Sequence, residues 1–231
     1  MTRTYRWARR AVWGTLVVVL SIGCNPLSMI AFLTHRDVKV PAKYPLERQD
    51  GDKKNKQDTI VAIFVTPGNI SSPEVMGMDT ALAAEIEKTF TEVARENKMK
   101  LAILPMKEIN RYKMKNPNWK ITPASTRGQQ LGADFVLDMH LTNLSFYQPN
   151  SPTQTLYEGH AEVDVDVCNT HAVDTPDRYV HTFSYPKYGF PMDATSKPLP
   201  AFRREFLEHL AIELARYHFD YKPSSGIADG R

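Results

Sequence analysis

Between Tyr157 and Cys168 the chain alternates without a slip. Ala161, Val163, Val165 and Val167 share one parity, and His160, Glu162, Asp164 and Asp166 share the other. Only a strand puts successive side chains on opposite faces, so this period commits the segment to a sheet with one apolar face. The stretch from Ala133 to Phe146 repeats the pattern, with Phe135, Leu137, Met139 and Leu141 set against Asp134, Asp138, His140 and Thr142. Pro149, Asn150, Ser151 and Pro152 lie between the two runs and mark a loop. The pair therefore reads as an antiparallel hairpin.

A loop centred near Ser151 sets His140 opposite Glu162 and Asp138 opposite Asp164. Imidazole and carboxylate groups suit divalent metals, which makes His140, Glu162 and Asp164 the candidate metal ligands. The regular alternation favours a plainer expectation, a solvated sheet face whose polar residues mark the outside. A slip in register would separate the groups.

The other elements follow from composition and period. Thr59-Ile60-Val61-Ala62-Ile63-Phe64-Val65 is a continuous β-branched run stopped by Pro67-Gly68, as a strand buried on both faces would be. From about Asp79 to Asn97, Leu82, Ile86, Phe90 and Val93 make one stripe of a helix. Leu101–Leu104 is a short strand before Pro105. In 106–122 only Ile109 and Tyr112 suggest a helical turn. A small helix over 123–131 closes on Gly132. Tyr179–Tyr185 is a further strand, and Phe202, Phe206, Leu210, Leu214 and Tyr217 carry the last helix. The expected fold is a single α/β sandwich domain with a mixed, about five-stranded sheet and three main helices, in the order β-α-β-α-β-β-β-α.

The run Gly132-Ala133-Asp134-Phe135-Val136-Leu137, followed by a loop and Tyr157-Glu158-Gly159-His160-Ala161-Glu162-Val163-Asp164-Val165, carries a family resemblance. It resembles the periplasmic lipoproteins that share the TolB amino-terminal-domain fold, among them the curli-secretion lipoprotein and the lipoprotein activators of peptidoglycan synthases. In those proteins a helix ends in a Gly-Ala-Asp-like turn and a hairpin of alternating residues follows. The likeness covers roughly residues 59–220 in topology, and its motif is about six residues long. It implies an envelope protein that binds or activates a partner.

The first residues agree with that setting. Arg3, Arg6, Arg9 and Arg10 precede an apolar run, Ala11 to Leu20, and Ser21-Ile22-Gly23-Cys24 follow. A basic region, a short apolar region and a small residue before the cut make a secretory signal. A cysteine after that small residue resembles a bacterial lipobox, in which Cys24 takes the acyl chains. Ser21 departs from the pattern, standing where Leu is commonest. An uncleaved anchor is the rival reading, because apolar residues resume at Leu27, but Asn25-Pro26 interrupts that span.

The expected organisation is a signal peptide over 1–23, anchor and tether over 24–58, the domain over 59–221 and a disordered tail over 222–231. The tether is too polar to fold by itself, though Ala42-Lys43-Tyr44 leaves open whether part of it lies against the domain. The whole chain has 29 basic and 26 acidic residues, and the first 23 hold four arginines and no acid. From Cys24 onward the balance is therefore 25 against 26, a net of −1, which removes the electrostatic case for nucleic acid. Once Cys24 is acylated, Cys168 has no partner for an intrachain disulfide and is expected to be buried.

No His-x-x-x-His, Cys-x-x-Cys, Gly-x-Ser-x-Gly or Gly-rich phosphate loop occurs. His209 and His218 fall on the polar side or border of the last helix, and His171 and His181 flank a loop. Ser125-Thr126-Arg127-Gly128 at a helix start could hold an anion, but short capped helices of this kind are usually structural. Core packing accounts for most of the cluster Tyr179, Phe183, Tyr185, Tyr188 and Phe190. Tyr185, Tyr188 and Phe190 are nevertheless the candidate partner-binding residues, because aromatics are enriched at interfaces.

The expectation is a non-enzymatic, cofactor-free lipoprotein on the periplasmic face of a membrane, the outer one for preference. It would be held to the bilayer through Cys24 and would bind an unidentified envelope protein. A metal-dependent hydrolase on the His140/Glu162 face is the first alternative. The second is a curli-type secretion component, for which the inserts 106–122 and 147–155 are short against the roughly 10-residue membrane strands a pore requires. Cys24→Ser is expected to abolish incorporation of a clickable fatty acid and to leave unprocessed precursor. Equal labelling of both chains would end the lipoprotein reading.

Overall fold

Strand β1 (Thr59–Pro67) is buried on both sides, and the rest of the fold is laid against it. The computed structural model describes residues 39–47, 58–68, 73–149, 155–172, 175–187 and 190–223. Cys24, the signal segment, Tyr188 and the tail from 224 lie outside the described residues, as do 48–57 of the tether. One compact unit runs from Pro41 to Tyr221 and contains everything below. Of the other unit only residues 39–40 and 222–223 are described.

After β1 come α1 (Met78–Glu96), β2 (Leu101–Ile103), α2 (Met106–Lys115) and α3 (Ala124–Leu131). The long hairpin strands β3 (Phe135–Tyr147) and β4 (Leu156–Asn169) follow, then β5 (Asp177–Tyr185), β6 (Met192–Asp193) and α4 (Leu199–His218). The sheet runs β2-β1-β3-β4-β5, with β6 paired to β4. β1 lies parallel to β2 and β3, while β3, β4 and β5 are antiparallel. The α/β class, the mixed sheet and the order of elements along the chain match the sequence-based expectation; α2 as a full helix and the two-residue β6 are additions.

Each face of β1 builds a different core. Val61, Ile63 and Val65 pack with Leu137, Met139, Val163 and Val165 under α1 and α4. Ala62 and Phe64 point the other way, into a smaller cluster with Val136, Cys168 and the α2 residues Ile109 and Tyr112. Helices therefore cover both faces, and the outer face of β3 is not wholly solvated as the alternation had suggested.

The folded unit also starts earlier than residue 59. Leu46 is 1% exposed, and the Tyr44 amide donates to the Tyr217 carbonyl at 2.8 Å. Part of the expected tether is thus a strap, because its isolated Tyr44 and Leu46 find apolar partners on the domain.

Val165 is fully buried, whereas Asp164 faces outward beside Arg178. Val165→Asp is expected to unfold the domain by burying an unpaired charge, and Asp164→Ala to change stability by no more than about 0.5 kcal/mol. Gly159→Ala would drive a methyl into the Phe206 ring and is expected to cost about 1–3 kcal/mol. Urea titrations of the three variants check the assignment of faces.

Candidate functional site

The hairpin register differs from the expected one by two residues. His140 pairs with Asp164 and Asp138 with Asp166, while Glu162 lies opposite Asn143. The loop is centred one residue later than Ser151, which separates Glu162 from His140, and a register shift around Thr142 then sets Glu162 opposite Asn143. Because the slip is two rather than one, the faces survive although the partners change. His140 is bonded through Nδ1 to the Thr66 hydroxyl at 2.6 Å, and its Nε2 lies 3.9 Å from Asp138. Asp164 and Asp166 flank Arg178 at 3.6 and 3.5 Å. The groups expected to converge are thus shared out among separate pairings. Among the described residues no group of three or more His, Cys, Asp or Glu side chains is placed to hold a metal ion.

The covered half of this face holds a buried ion pair. Arg127, 2% exposed, reaches from α3 to both carboxylate oxygens of Asp138 on β3. Its guanidinium lies 4.6 Å from the Phe64 ring centroid, and Phe64 stacks on Trp119 at 5.6 Å. Lys113 caps Trp119 from 4.6 Å, and burial lowers its pKa. Arg127 is therefore turned inward rather than offered to an anion at the helix start. The local signal was Gly128: a Cβ there would collide with Thr170 and Val136, so α3 sits close enough to the sheet for Arg127 to reach Asp138. Cys168 is buried beside this layer, and burial pushes its thiol pKa up, away from reactivity.

The Gly-Ala-Asp turn organises the sheet edge. Gly132 takes the left-handed conformation at φ 66° that ends α3. Asp134 then accepts the Ile60 amide at 2.8 Å and donates its own amide to the Ile60 carbonyl at 2.7 Å, which fixes β1 to the turn. Its other oxygen meets His171 Nε2 at 2.8 Å. Gln129, Thr170 and His171 line a shallow pocket of about 300 Å³ beside it. Sequence reasoning had His171 flanking a loop and missed this pairing, which spans 37 residues.

The expected aromatic surface divides. Tyr179 and Phe183 are core residues, at 7% and 5% exposure. Tyr185 is half-buried, stacked on His209 at 4.7 Å and packed against Phe202 at 5.7 Å. Phe190 is 92% exposed. Tyr188 lies outside the described residues.

His218, expected at the polar border of the last helix, is completely buried. The strap covers it. Its Nδ1 lies 2.9 Å from the Tyr44 carbonyl, which can only accept, so Nδ1 carries the proton and Nε2 accepts from the Tyr179 hydroxyl at 2.9 Å. Tyr179 stacks between Tyr44 at 5.0 Å and Tyr217 at 4.4 Å. Burial lowers the His218 pKa to about 4, against the opposing pull of the Tyr44 carbonyl. Burial also lowers the pKa of His181, which bonds the Tyr217 hydroxyl at 3.1 Å.

No protein-family model and no curated protein matches this chain. Among solved structures it is similar to a PelC dodecamer subunit from Paraburkholderia phytofirmans, at 9% identity over 78% of this chain and 97% of that one, with a TM-score of 0.43. It is also similar to lipoprotein GNA1162 from Neisseria meningitidis, at 10% identity over 56% and 81% of the two chains and a TM-score of 0.37. A minor lipoprotein from Acinetobacter baumannii matches at 10% identity over 71% and 97%, with a TM-score of 0.30.

The His218 environment sets a pH dependence. Its folded pKa is depressed below the unfolded value near 6.5, so the unfolded chain binds the extra proton between about pH 4 and 6.5. Stability from this group is complete above about pH 6.5 and is lost as pH falls towards 4, a change of order 3 kcal/mol. Urea unfolding at pH 7.5 and 4.5 is expected to show this loss in the wild type. His218→Gln should be weaker at pH 7.5 and much flatter between the two values, with His181 leaving a residual slope of the same sign.

Proposed function

We propose that this chain is a lipid-anchored envelope protein whose domain is a non-enzymatic binding, scaffolding or activating module for another envelope component. The observation that carries the reading is the order of basic residues, apolar run, small residue and Cys24 at the start of the chain. A single acyl chain binds membranes marginally, while two or three anchor stably, so acylated Cys24 would keep the domain at the periplasmic face of a membrane, the outer one in this proposal. No helix among the described residues is long and apolar enough to cross a membrane.

The domain's chemistry supports binding over catalysis. Arg127 and Asp138 pair with each other, Asp134 holds Ile60 and His171, and His218 is locked between Tyr44 and Tyr179. These groups are committed to holding elements together. The loop after β5 instead offers an apolar ring to solvent at Phe190, and Tyr185 at the end of β5 is half-buried. Large rings give contact area at low entropic cost, which suits a recognition loop.

In-cell crosslinking from intact envelopes tests the proposal. Phe190→Ala is expected to leave the thermal melt unchanged and to lose the crosslinked partner. Tyr185→Ala is expected to cost about 1–2 kcal/mol, because it strips the stacking on Phe202 and His209. If Phe190→Ala captures the same proteins as the wild type, the partner binds elsewhere.

A further inference from the structure

We propose that α2 and the loop after it form a docking surface for an anionic lipid bilayer. From Met106 to Thr122 the chain carries Lys107, Arg111, Lys113, Lys115 and Lys120 against one acid, Glu108, a net of +4. The chain from Cys24 onward is net −1, so everything outside these 17 residues sums to −5. Positive charge is thus gathered on one element of an otherwise acidic protein.

The helix displays that charge in one direction. Ile109 and Tyr112 are buried against the sheet. Lys107, Arg111 and Met114 fall on the opposite side at spacings of four and three, and all are exposed. Met114 is 78% exposed, and Ile121 in the following loop is 82% exposed. Two large apolar side chains held in water among five cations are costly in solution and favourable at a headgroup boundary, where charge meets phosphate and the apolar tips reach the acyl region.

Trp119 adds the side chain suited to that boundary. Its ring is half-exposed, backed by Phe64 at 5.6 Å and flanked by Lys113 at 4.6 Å and Lys120 at 5.9 Å. Tryptophan favours the interface because one side of the ring is apolar and its N–H is polar. The loop is tied to the end of α2 by the Trp119 amide, which donates to Asn116 at 2.9 Å, and by the Ile121 amide, which donates to Asn118 at 3.1 Å. Reach is not limiting. Pro41 lies 17 residues after Cys24, a span of at most about 60 Å when extended. The proposal takes only the nearby bilayer from the anchored reading; the surface itself is argued from α2 and its loop.

The sequence supplies its own probe, because Trp119 is the only tryptophan from Cys24 onward. Purified full-length lipoprotein, processed at Cys24, is reconstituted into vesicles of phosphatidylcholine alone or with phosphatidylglycerol. Trp119 emission is then read with brominated-chain lipids and with acrylamide. Bromolipid quenching and acrylamide protection are expected only with phosphatidylglycerol, and 0.5 M salt should remove both. Lys115→Glu/Lys120→Glu should weaken the signal by about tenfold or more, since each cation near an anionic surface is worth about fivefold. Met114→Ser/Ile121→Ser should keep the acrylamide protection and lose the bromolipid quenching. Both pairs are exposed and should leave the melt unchanged.

Equal acrylamide access in both vesicle types, with no effect of charge reversal, overturns the surface. So does loss of a protein crosslink in the charge-reversed chain without any change in quenching, which makes the patch a protein interface. Failure of the wild type to float with phosphatidylcholine vesicles overturns the anchor instead. Flotation on phosphatidylglycerol vesicles alone, abolished by charge reversal, would then still support the surface.

Discussion

The in-register parallel pairing of β1 with β3 is the constraint on which the rest of this fold depends. Seven consecutive pairs, from Val61 opposite Phe135 to Pro67 opposite Leu141, fix which residues of each strand face which layer. Shifting that register by one would send Val61, Ile63 and Val65 into the smaller layer and Ala62 and Phe64 into the larger. Both layers are apolar, so hydrophobic burial alone discriminates weakly between the two arrangements. Polar contacts supply the difference. Asp134 holds Ile60 at the start of β1, and Thr66 near its end bonds His140 of β3.

The Arg127–Asp138 pair extends the same logic to α3. Removing two charges from water costs several kcal/mol each, and their attraction at close range roughly offsets this. Such a pair adds little net stability over apolar residues of the same volume. Breaking it is another matter, because a lone buried charge costs about 3–5 kcal/mol. Only the arrangement that brings Arg127 over Asp138 satisfies both, so the pair selects where α3 lies on the sheet. Gly128 permits that approach by leaving room for Thr170 and Val136.

Legibility in the sequence followed how far each element's burial shows as a period. β4 alternates because its two faces meet different surroundings, and β1 is continuously apolar because both of its faces are covered. α2 was obscured because it fully buries only Ile109 and Tyr112 and leaves most of the rest exposed. The hairpin register was misplaced because the loop is centred one residue beyond Ser151, and its polar residues do not mark the centre of the turn. Arg127–Asp138 and Asp134–His171 were missed for a different reason. Each joins a residue that looks like ordinary surface charge to one on another element, and nothing local distinguishes such a charge from a solvated one. The cationic face of α2 needed the fold to show which side of the helix was left uncovered.

His218 shows how a short polar strap changes the meaning of a helix end. By spacing alone the last turn of α4 borders solvent, and a histidine there suits the negative end of the helix dipole as a cation. The strap reverses this. Tyr44 covers the turn with its ring and presents its carbonyl to Nδ1, so the imidazole is buried neutral between two fixed groups. The Ala42 amide donates to the Asp220 carboxylate at 3.1 Å, and the Asn97 side chain donates to the Asp220 carbonyl at 3.0 Å. The strap is thereby joined to both long helices of the larger layer. The start of the folded unit is consequently held by hydrogen bonds to the end of α4 and by ring stacking on Tyr179 of β5, so helix and sheet share it.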